Sequence, residues 1–192
     1  MNRRLGVLIS GRGSNLKAII EAIQQKRLDA VIAIVISNRA DAPGLEHART
    51  AGIDTLVLSH KDFASREDYD RALVRELKSH GVVLVCLAGF MRLLSPVMVD
   101  AFPNRILNIH PSLLPKYPGL HPQQQALDDG ARISGATVHF VNADLDAGPV
   151  VLQREVPVLP GDTAGSLADR ILHVEHALYP AAIAAVLDRI DR

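Results

Sequence analysis

The chain has 192 residues, with 21 Lys and Arg against 21 Asp and Glu, 48% hydrophobic residues and one Cys. That length suits one ordinary domain with a sizeable core, and the balanced charge offers no basic field for a phosphate backbone, so nucleic acid is not an expected partner. The composition excludes general disorder, and a lone Cys excludes a disulfide framework or a Cys-based zinc site and fits a reducing cytosol.

No stretch reaches the ~18 apolar residues of a membrane span. The longest apolar run, residues 82–90, is interrupted by Gly89 and followed by Arg92. Asn2, Arg3 and Arg4 before the run at residues 5–9 briefly imitate a signal peptide. That run is too short for an apolar signal region, and Gly11-Arg12-Gly13 follows at once. A soluble, cytoplasmic protein is expected, with no membrane partner.

In chain order, residues 5–9 read as a buried strand and 14–25 as a helix with Leu16, Ile19, Ile20 and Ile23 on one face. Residues 31–36 form a second strand, 42–51 a short helix, 55–58 a third strand and 65–80 a helix. Residues 82–87 are the most hydrophobic segment and predict the central strand, covered on both faces. Strands separated by helices of this length predict βαβ units and a parallel sheet.

The second half has a different texture. Residues 95–102 read as a short helix, 105–110 as a strand, 121–130 as a helix and 163–190 as a long closing helix. Residues 111–119 hold too many prolines for either state. Strands at 135–142 and 149–156 lie too close for a crossover and predict a hairpin. The expected fold is α/β: a Rossmann-like, mostly parallel twisted sheet with helices on both faces and an antiparallel edge hairpin. No repeat or linker divides the chain, so residues 1–192 are expected to form one domain with two functional lobes, about 1–104 and about 105–192.

Residues 8–15, Leu-Ile-Ser-Gly-Arg-Gly-Ser-Asn, end the first strand and open the first helix. Glycines let a backbone approach an anion, and a helix N-terminus offers free N–H groups. Leu16 stands where a dinucleotide fingerprint needs its third glycine, and the Gly-Lys-Ser/Thr of a Walker loop is missing. Two readings stay open: a small phosphate cradle with Ser14 or Asn15 capping the helix, or a plain strand-to-helix turn.

In residues 105–110, Arg-Ile-Leu-Asn-Ile-His, alternation puts Asn108 and His110 on one face, and Pro111 ends the strand just beyond them. Both then sit at the carboxyl edge of the sheet, where open α/β sheets bind ligands. An amide beside an imidazole suits a developing oxyanion, with His able to move a proton near neutral pH. A satisfied structural Asn/His pair is the alternative. Asp144 and Asp146, in the loop between the hairpin strands, offer a carboxylate for His110 or are solvated turn residues, and spacing does not choose between them.

Cys86 lies in the apolar central run and reads as buried and inert. The eight histidines show no metal spacing, and His173 and His176 read as helix-surface residues, so no metal is expected. No G-x-S-x-G elbow is present, which removes support for covalent acyl transfer.

Taken in order, residues 9–15, 87–92, 107–121, 138–141, 146–149, and Glu175-His176 with Tyr179-Pro180 resemble the folate-dependent formyltransferase family over nearly the whole chain. The run Asn108-Ile109-His110-Pro111-Ser112-Leu113-Leu114-Pro115 is specific for that family. Residues 116–121, Lys-Tyr-Pro-Gly-Leu-His, resemble its branch that formylates glycinamide ribonucleotide in purine synthesis. The resemblance implies a catalytic trio of Asn108, His110 and Asp146. It implies a ribonucleotide site at Gly13, Ser14 and Asn15 for the phosphate, with Pro111 and Glu175 for the glycinamide end. It also implies folate contacts at Arg66, Met91, Arg92, Leu93, Leu94, Asn108, Val141 and Asp146.

The implied co-substrate is 10-formyltetrahydrofolate, used without a metal, in a monomer or homodimer. On this reading the first lobe holds the ribonucleotide, and the second is catalytic and folate-binding. Pro122-Gln123-Gln124 departs from the family pattern, and the chain stops soon after the closing helix, without the tail some members carry; both lie outside the trio. A related formyltransferase or a formyltetrahydrofolate hydrolase shares the trio but usually carries extra domains. A phosphate-binding module without chemistry leaves the trio without a role.

Overall fold

The computed structural model describes residues 2–191. The first half alternates β1 (Arg4–Ile9), α1 (Ser14–Gln24), β2 (Val31–Ser37), α2 (Gly44–Thr50) and β3 (Thr55–Val57). A single 3-10 turn (His60–Asp62) precedes α3 (Arg66–Ser79), β4 (Leu84–Leu87) and α4 (Pro96–Ala101). The second half holds β5 (Ile106–His110), α5 (Pro122–Asp128), β6 (Ile133–Phe140), β7 (Val150–Pro157) and α6 (Ala164–Ile190). Helix starts follow their residues: the Ser65 hydroxyl accepts the Asp68 N–H at 3.1 Å, and Thr163 and Ser166 form a reciprocal capping box at α6.

The seven strands lie in the order β3-β2-β1-β4-β5-β6-β7 in one sheet. β3, β2, β1, β4 and β5 are parallel, and β4 is the central strand, as its unbroken apolar run predicts. Direction reverses at the expected edge hairpin: its first strand, β6, runs antiparallel to β5 as well as to β7. The division expected near residue 104 therefore falls between α4 and β5, inside one continuous sheet.

Both sheet faces are buried, and the strand alternation sorts side chains between them. Leu5, Val7 and Ile9 of β1 face a cluster with α1 and α6, whereas Leu8 faces Tyr69, Leu73 and Leu77 of α3 and Met98 of α4. The gap on that second face at Gly6 is filled by Leu77, whose Cδ2 occupies the place of any Cβ there. Tyr179 of α6 is fully buried, and its phenol reaches the Leu87 and Leu107 carbonyls at 2.9 and 3.0 Å, tying α6 to both β4 and β5. Cys86 is fully buried on the α6 side, and burial pushes its thiol far up from its ordinary value, which agrees with an inert core residue. Among the described residues, no helix is long and apolar enough to cross a membrane.

The chain order reverses between β1 and β4, and at such a switch point the carboxyl ends of the strands diverge to leave a crevice. The glycine turn after β1, the segment after β4 and the Pro-rich segment after β5 all leave the sheet there.

Candidate active site

The turn after β1 differs from its expected form. Neither Ser14 nor Asn15 caps α1: the N-cap is Gly13 at φ 72°, no side chain bonds the first turn, and Ser14 is already helical. Gly13 is required twice over. Its left-handed backbone favours glycine, and a Cβ there would stand 2.6 Å from the Cα of Gly44, whose N–H donates to the Gly11 carbonyl at 2.9 Å. The tight fold of the turn thus leaves the first-turn N–H groups of an eleven-residue helix without a side-chain acceptor, which suits an anion.

Asn15 turns away from this opening. Its Nδ2 donates to Glu175 Oε2 at 3.2 Å, joining α1 to α6 deep in the crevice, while its Oδ1 is buried without a partner. Burial raises the Glu175 carboxyl from its ordinary 4.5 to about 7, against the opposing effect of the Asn15 N–H. A carboxyl poised there accepts or donates hydrogen bonds near neutral pH.

At the ends of β5 and β6 the polar face expected from alternation is present and is twice as wide. Asn108 pairs with His139 across the antiparallel ladder, and His110 with Thr137. His139 Nδ1 lies 3.0 Å from the Phe140 carbonyl, which can only accept, so Nδ1 carries a proton. Burial lowers the His139 pKa below 6.5, keeping the ring neutral, and its Nε2 then accepts from Asn108 Nδ2 at 3.2 Å. The 3.7 Å approach of Asp146 Oδ1 to His139 Nε2 is accordingly no ion pair.

His110 Nε2 lies 2.9 Å from the Tyr117 carbonyl and therefore donates to it. Its Nδ1 faces Asp146 Oδ2 at 3.5 Å, and both side chains are more than nine-tenths buried. Asp146 also accepts the Gly119 N–H at 2.8 Å, and its backbone is held in the left-handed region at φ 52°. Non-glycine residues in that conformation cluster at functional sites. Gly148, two residues on, lets the chain pass against the Phe140 carbonyl, which a Cβ would strike. Asp144 is exposed, and only its backbone N–H is engaged, by Asn142. The geometry thus selects Asp146 over Asp144 as the carboxylate beside the imidazole.

The Pro-rich segment after β5 is fastened over this group. Thr137 Oγ1 donates to the Ser112 carbonyl at 2.7 Å and accepts the Leu114 N–H at 3.1 Å; Ser112 Oγ donates to the Lys116 carbonyl at 2.6 Å. Pro111 is half-buried where the segment begins. After β4, Met91 and Leu93 are exposed and apolar, while Arg92 and Leu94 are half-buried. Ser95 closes that segment by donating its N–H and Oγ–H to the buried carboxylate of Asp70, at 2.6 and 2.7 Å. Arg66 is exposed in the first turn of α3, and its charge acts on Asp70. Val141 is half-buried just past β6.

His110 therefore meets Asp146, Asn108 is linked to Asp146 through His139, and Asn15 meets Glu175, while Arg66 touches none of these. Sequence reasoning passed over His139 and Thr137 as site residues, although alternation along β6 marks both as polar positions on one face. A cavity of about 360 Å³ at the opposite, amino-terminal edge, between Arg4, Ile20, Val31 and Ile53, contains no candidate site residue. The convergence of charged and polar groups, rather than this hollow, marks the candidate site.

The chain is similar to known proteins over nearly its whole length. The family model described as formyl transferase matches residues 3–183. Phosphoribosylglycinamide formyltransferase of Escherichia coli K12 is 52% identical over 182 residues, 95% of this chain and 86% of that protein. The trifunctional purine biosynthetic protein adenosine-3 of Drosophila melanogaster is also 52% identical, but this chain spans only 14% of its length. The crystal structure of glycinamide ribonucleotide transformylase 1 from Symbiobacterium toebii superposes with a TM-score of 0.94 at 55% identity, covering 95% of this chain and 86% of that one.

Proposed function

This chain belongs to the formyl transferase family, and we propose that it transfers the formyl group of 10-formyltetrahydrofolate to the amine of glycinamide ribonucleotide. The products are formylglycinamide ribonucleotide and tetrahydrofolate, a step of purine synthesis carried out in the cytoplasm. The observation that carries the reading is the approach of His110 to Asp146, with Asn108 joined to them through His139, at the carboxyl edge of a sheet where α1 also begins with no side-chain acceptor for its first N–H groups.

In this reading the ribonucleotide phosphate lies on the backbone of Gly13, Ser14 and Asn15, and its glycinamide end reaches Pro111 and Glu175. The folate lies along Met91, Arg92, Leu93 and Leu94 and the loop from Val141 to Asp146, with Arg66 and Asn108 as further contacts. Ribonucleotide groups come mostly from residues 1–104 and catalytic groups from 105–192, but Glu175 and the segment after β4 cross that division.

The amine nitrogen attacks the formyl carbon, a C–N bond forms, and the carbonyl electrons move onto oxygen. One N–H of Asn108 is committed to His139, which fixes the amide and leaves the second N–H for that oxygen. His110 adds positive charge when Asp146 stabilises a proton on Nδ1, its Nε2–H being held by Tyr117. Collapse breaks the bond from the formyl carbon to the folate nitrogen, and that nitrogen takes the proton the amine loses, routed with the help of the Asp146 carboxylate.

Purified protein mixed with 10-formyltetrahydrofolate, with and without glycinamide ribonucleotide, and followed by folate absorbance, tests the reading. Tetrahydrofolate released only when the ribonucleotide is present is the expected result. Release without it would mean a hydrolase, and no release in either mixture would overturn the proposal.

A further inference from the structure

We propose that the Ser10 hydroxyl is a positioning group that couples ribonucleotide binding to folate binding; this rests on the two binding segments assigned above. Ser10 is the last residue before the glycine turn and is 5% exposed. Its Oγ accepts the Met91 N–H at 2.9 Å and donates to Asn38 Oδ1 at 2.6 Å. Its own N–H donates to the Gly89 carbonyl at 3.1 Å. One small side chain thus joins the strand that opens into the phosphate turn to the first residue of the segment that lines the folate side.

The direction of these bonds matters. A hydroxyl that spends its proton on Asn38 has its lone pairs aimed back at Met91, so the Asn38 amide orients the acceptor that the Met91 N–H uses. Asn38 is itself 6% exposed, and its Nδ2 lies 3.5 Å from His60 Nδ1, so its amide is also braced. The far end of the same segment is fixed independently by Asp70 through Ser95. Between these two anchors stand Met91 and Leu93, exposed and apolar. Ordering the glycine turn around a phosphate therefore orders Ser10, and Ser10 sets the near end of the apolar wall. Whichever ligand binds first meets part of the ordering requirement of the second, which is positive coupling and is reciprocal.

The test is equilibrium binding of glycinamide ribonucleotide to the whole chain, with and without saturating tetrahydrofolate, which has no formyl group to give. In the native protein tetrahydrofolate is expected to tighten ribonucleotide binding about fivefold. In Ser10→Ala that factor falls to about one, although each ligand still binds alone. An unchanged factor in a folded Ser10→Ala protein would overturn the coupling role, as would a native protein that binds each ligand with no mutual effect. A native protein binding neither ligand would overturn the assigned function and this inference together. Amide hydrogen exchange of the native protein supplies a reading free of any substitution: ribonucleotide alone should slow exchange at the Met91 N–H, and no change there would count against the proposal.

Discussion

Asn108 and His139 face each other across the antiparallel β5–β6 pair, with Asn108 Nδ2 donating to a neutral His139 Nε2 at 3.2 Å. The contact decides which way an amide of nearly symmetric shape points. With one N–H occupied, the other has a fixed direction toward the crevice, as an oxyanion donor requires. Removing the imidazole leaves Asn108 free to rotate by half a turn, and half of its orientations then present oxygen to oxygen.

His139→Ala is accordingly expected to lower kcat by roughly tenfold or more, with a smaller change in either KM, because the interaction lost is one made in the transition state. His139→Gln, which can still accept from Asn108, should recover part of the loss. Steady-state kinetics with both substrates varied make the check. A kcat equal to the native value in folded His139→Ala would mean that Asn108 needs no such partner.

The two loop carboxylates make a second comparison. Asp146→Asn keeps an acceptor for the Gly119 N–H but removes the charge opposite His110 Nδ1. Turnover should fall by ~10² or more while the protein stays folded. Asp144→Asn alters an exposed side chain and should change turnover less than about twofold. Equal losses at both positions would point to loop geometry as the cause, and thermal melts of both variants separate that case from unfolding.

Much of this was legible in the chain, and the reasons differ from place to place. The central position of β4 follows from an apolar run that only a doubly covered strand tolerates, and the shared face of Asn108 and His110 follows from the period of two. His139 escaped because its importance depends on register: only the pairing of Asn108 with His139 turns a polar residue on β6 into a partner for the amide. Tyr117 escaped for a deeper reason. Its contribution is a backbone carbonyl placed by the path of a Pro-rich segment, and no side-chain pattern encodes where a carbonyl points. The cap offered at Ser14 or Asn15 falls instead on Gly13, because the turn there packs against Gly44, thirty-one residues later, a contact local sequence does not show.

Glu175 gives a prediction with a definite sign in pH. Its folded-state pKa, about 7, lies above its ordinary 4.5, so the folded protein holds a proton that the unfolded chain has released. The stabilisation linked to that proton is fully present below about pH 4.5 and is lost as pH rises through 7, to a limit on the order of 3 kcal/mol. Glu175→Gln cannot lose a proton and still offers an oxygen to Asn15. It should melt at a higher temperature than the native protein at pH 8, and at nearly the same temperature at pH 4. The same variant should bind glycinamide ribonucleotide more weakly. An identical pH dependence of melting in the two proteins would show that Glu175 is not the group responsible.

The glycine turn separates demands of fold from demands of ligand, because its two glycines differ. Gly13 needs its left-handed backbone and touches Gly44, so even Gly13→Ala strains the turn and pushes α2 away. It should cost at least the ~1–2 kcal/mol of a left-handed non-glycine residue, and ribonucleotide binding would fall for reasons that include lost structure. Gly11 is the opposite case: a Cβ there meets nothing within 4 Å, and its φ lies outside the left-handed range. Gly11→Ala should therefore unfold in denaturant within about 0.5 kcal/mol of the native protein. If the turn holds a phosphate by close approach of its backbone, the added methyl group occupies that open space, and the Kd for the ribonucleotide should rise by about tenfold or more. Tetrahydrofolate measured alone should bind Gly11→Ala as it binds the native protein, since the Ser10 hydroxyl and its bond to Met91 are untouched. Unchanged ribonucleotide affinity in a Gly11→Ala protein of native stability would mean that the phosphate does not lie on this turn, leaving Gly13 as a residue that serves the fold alone.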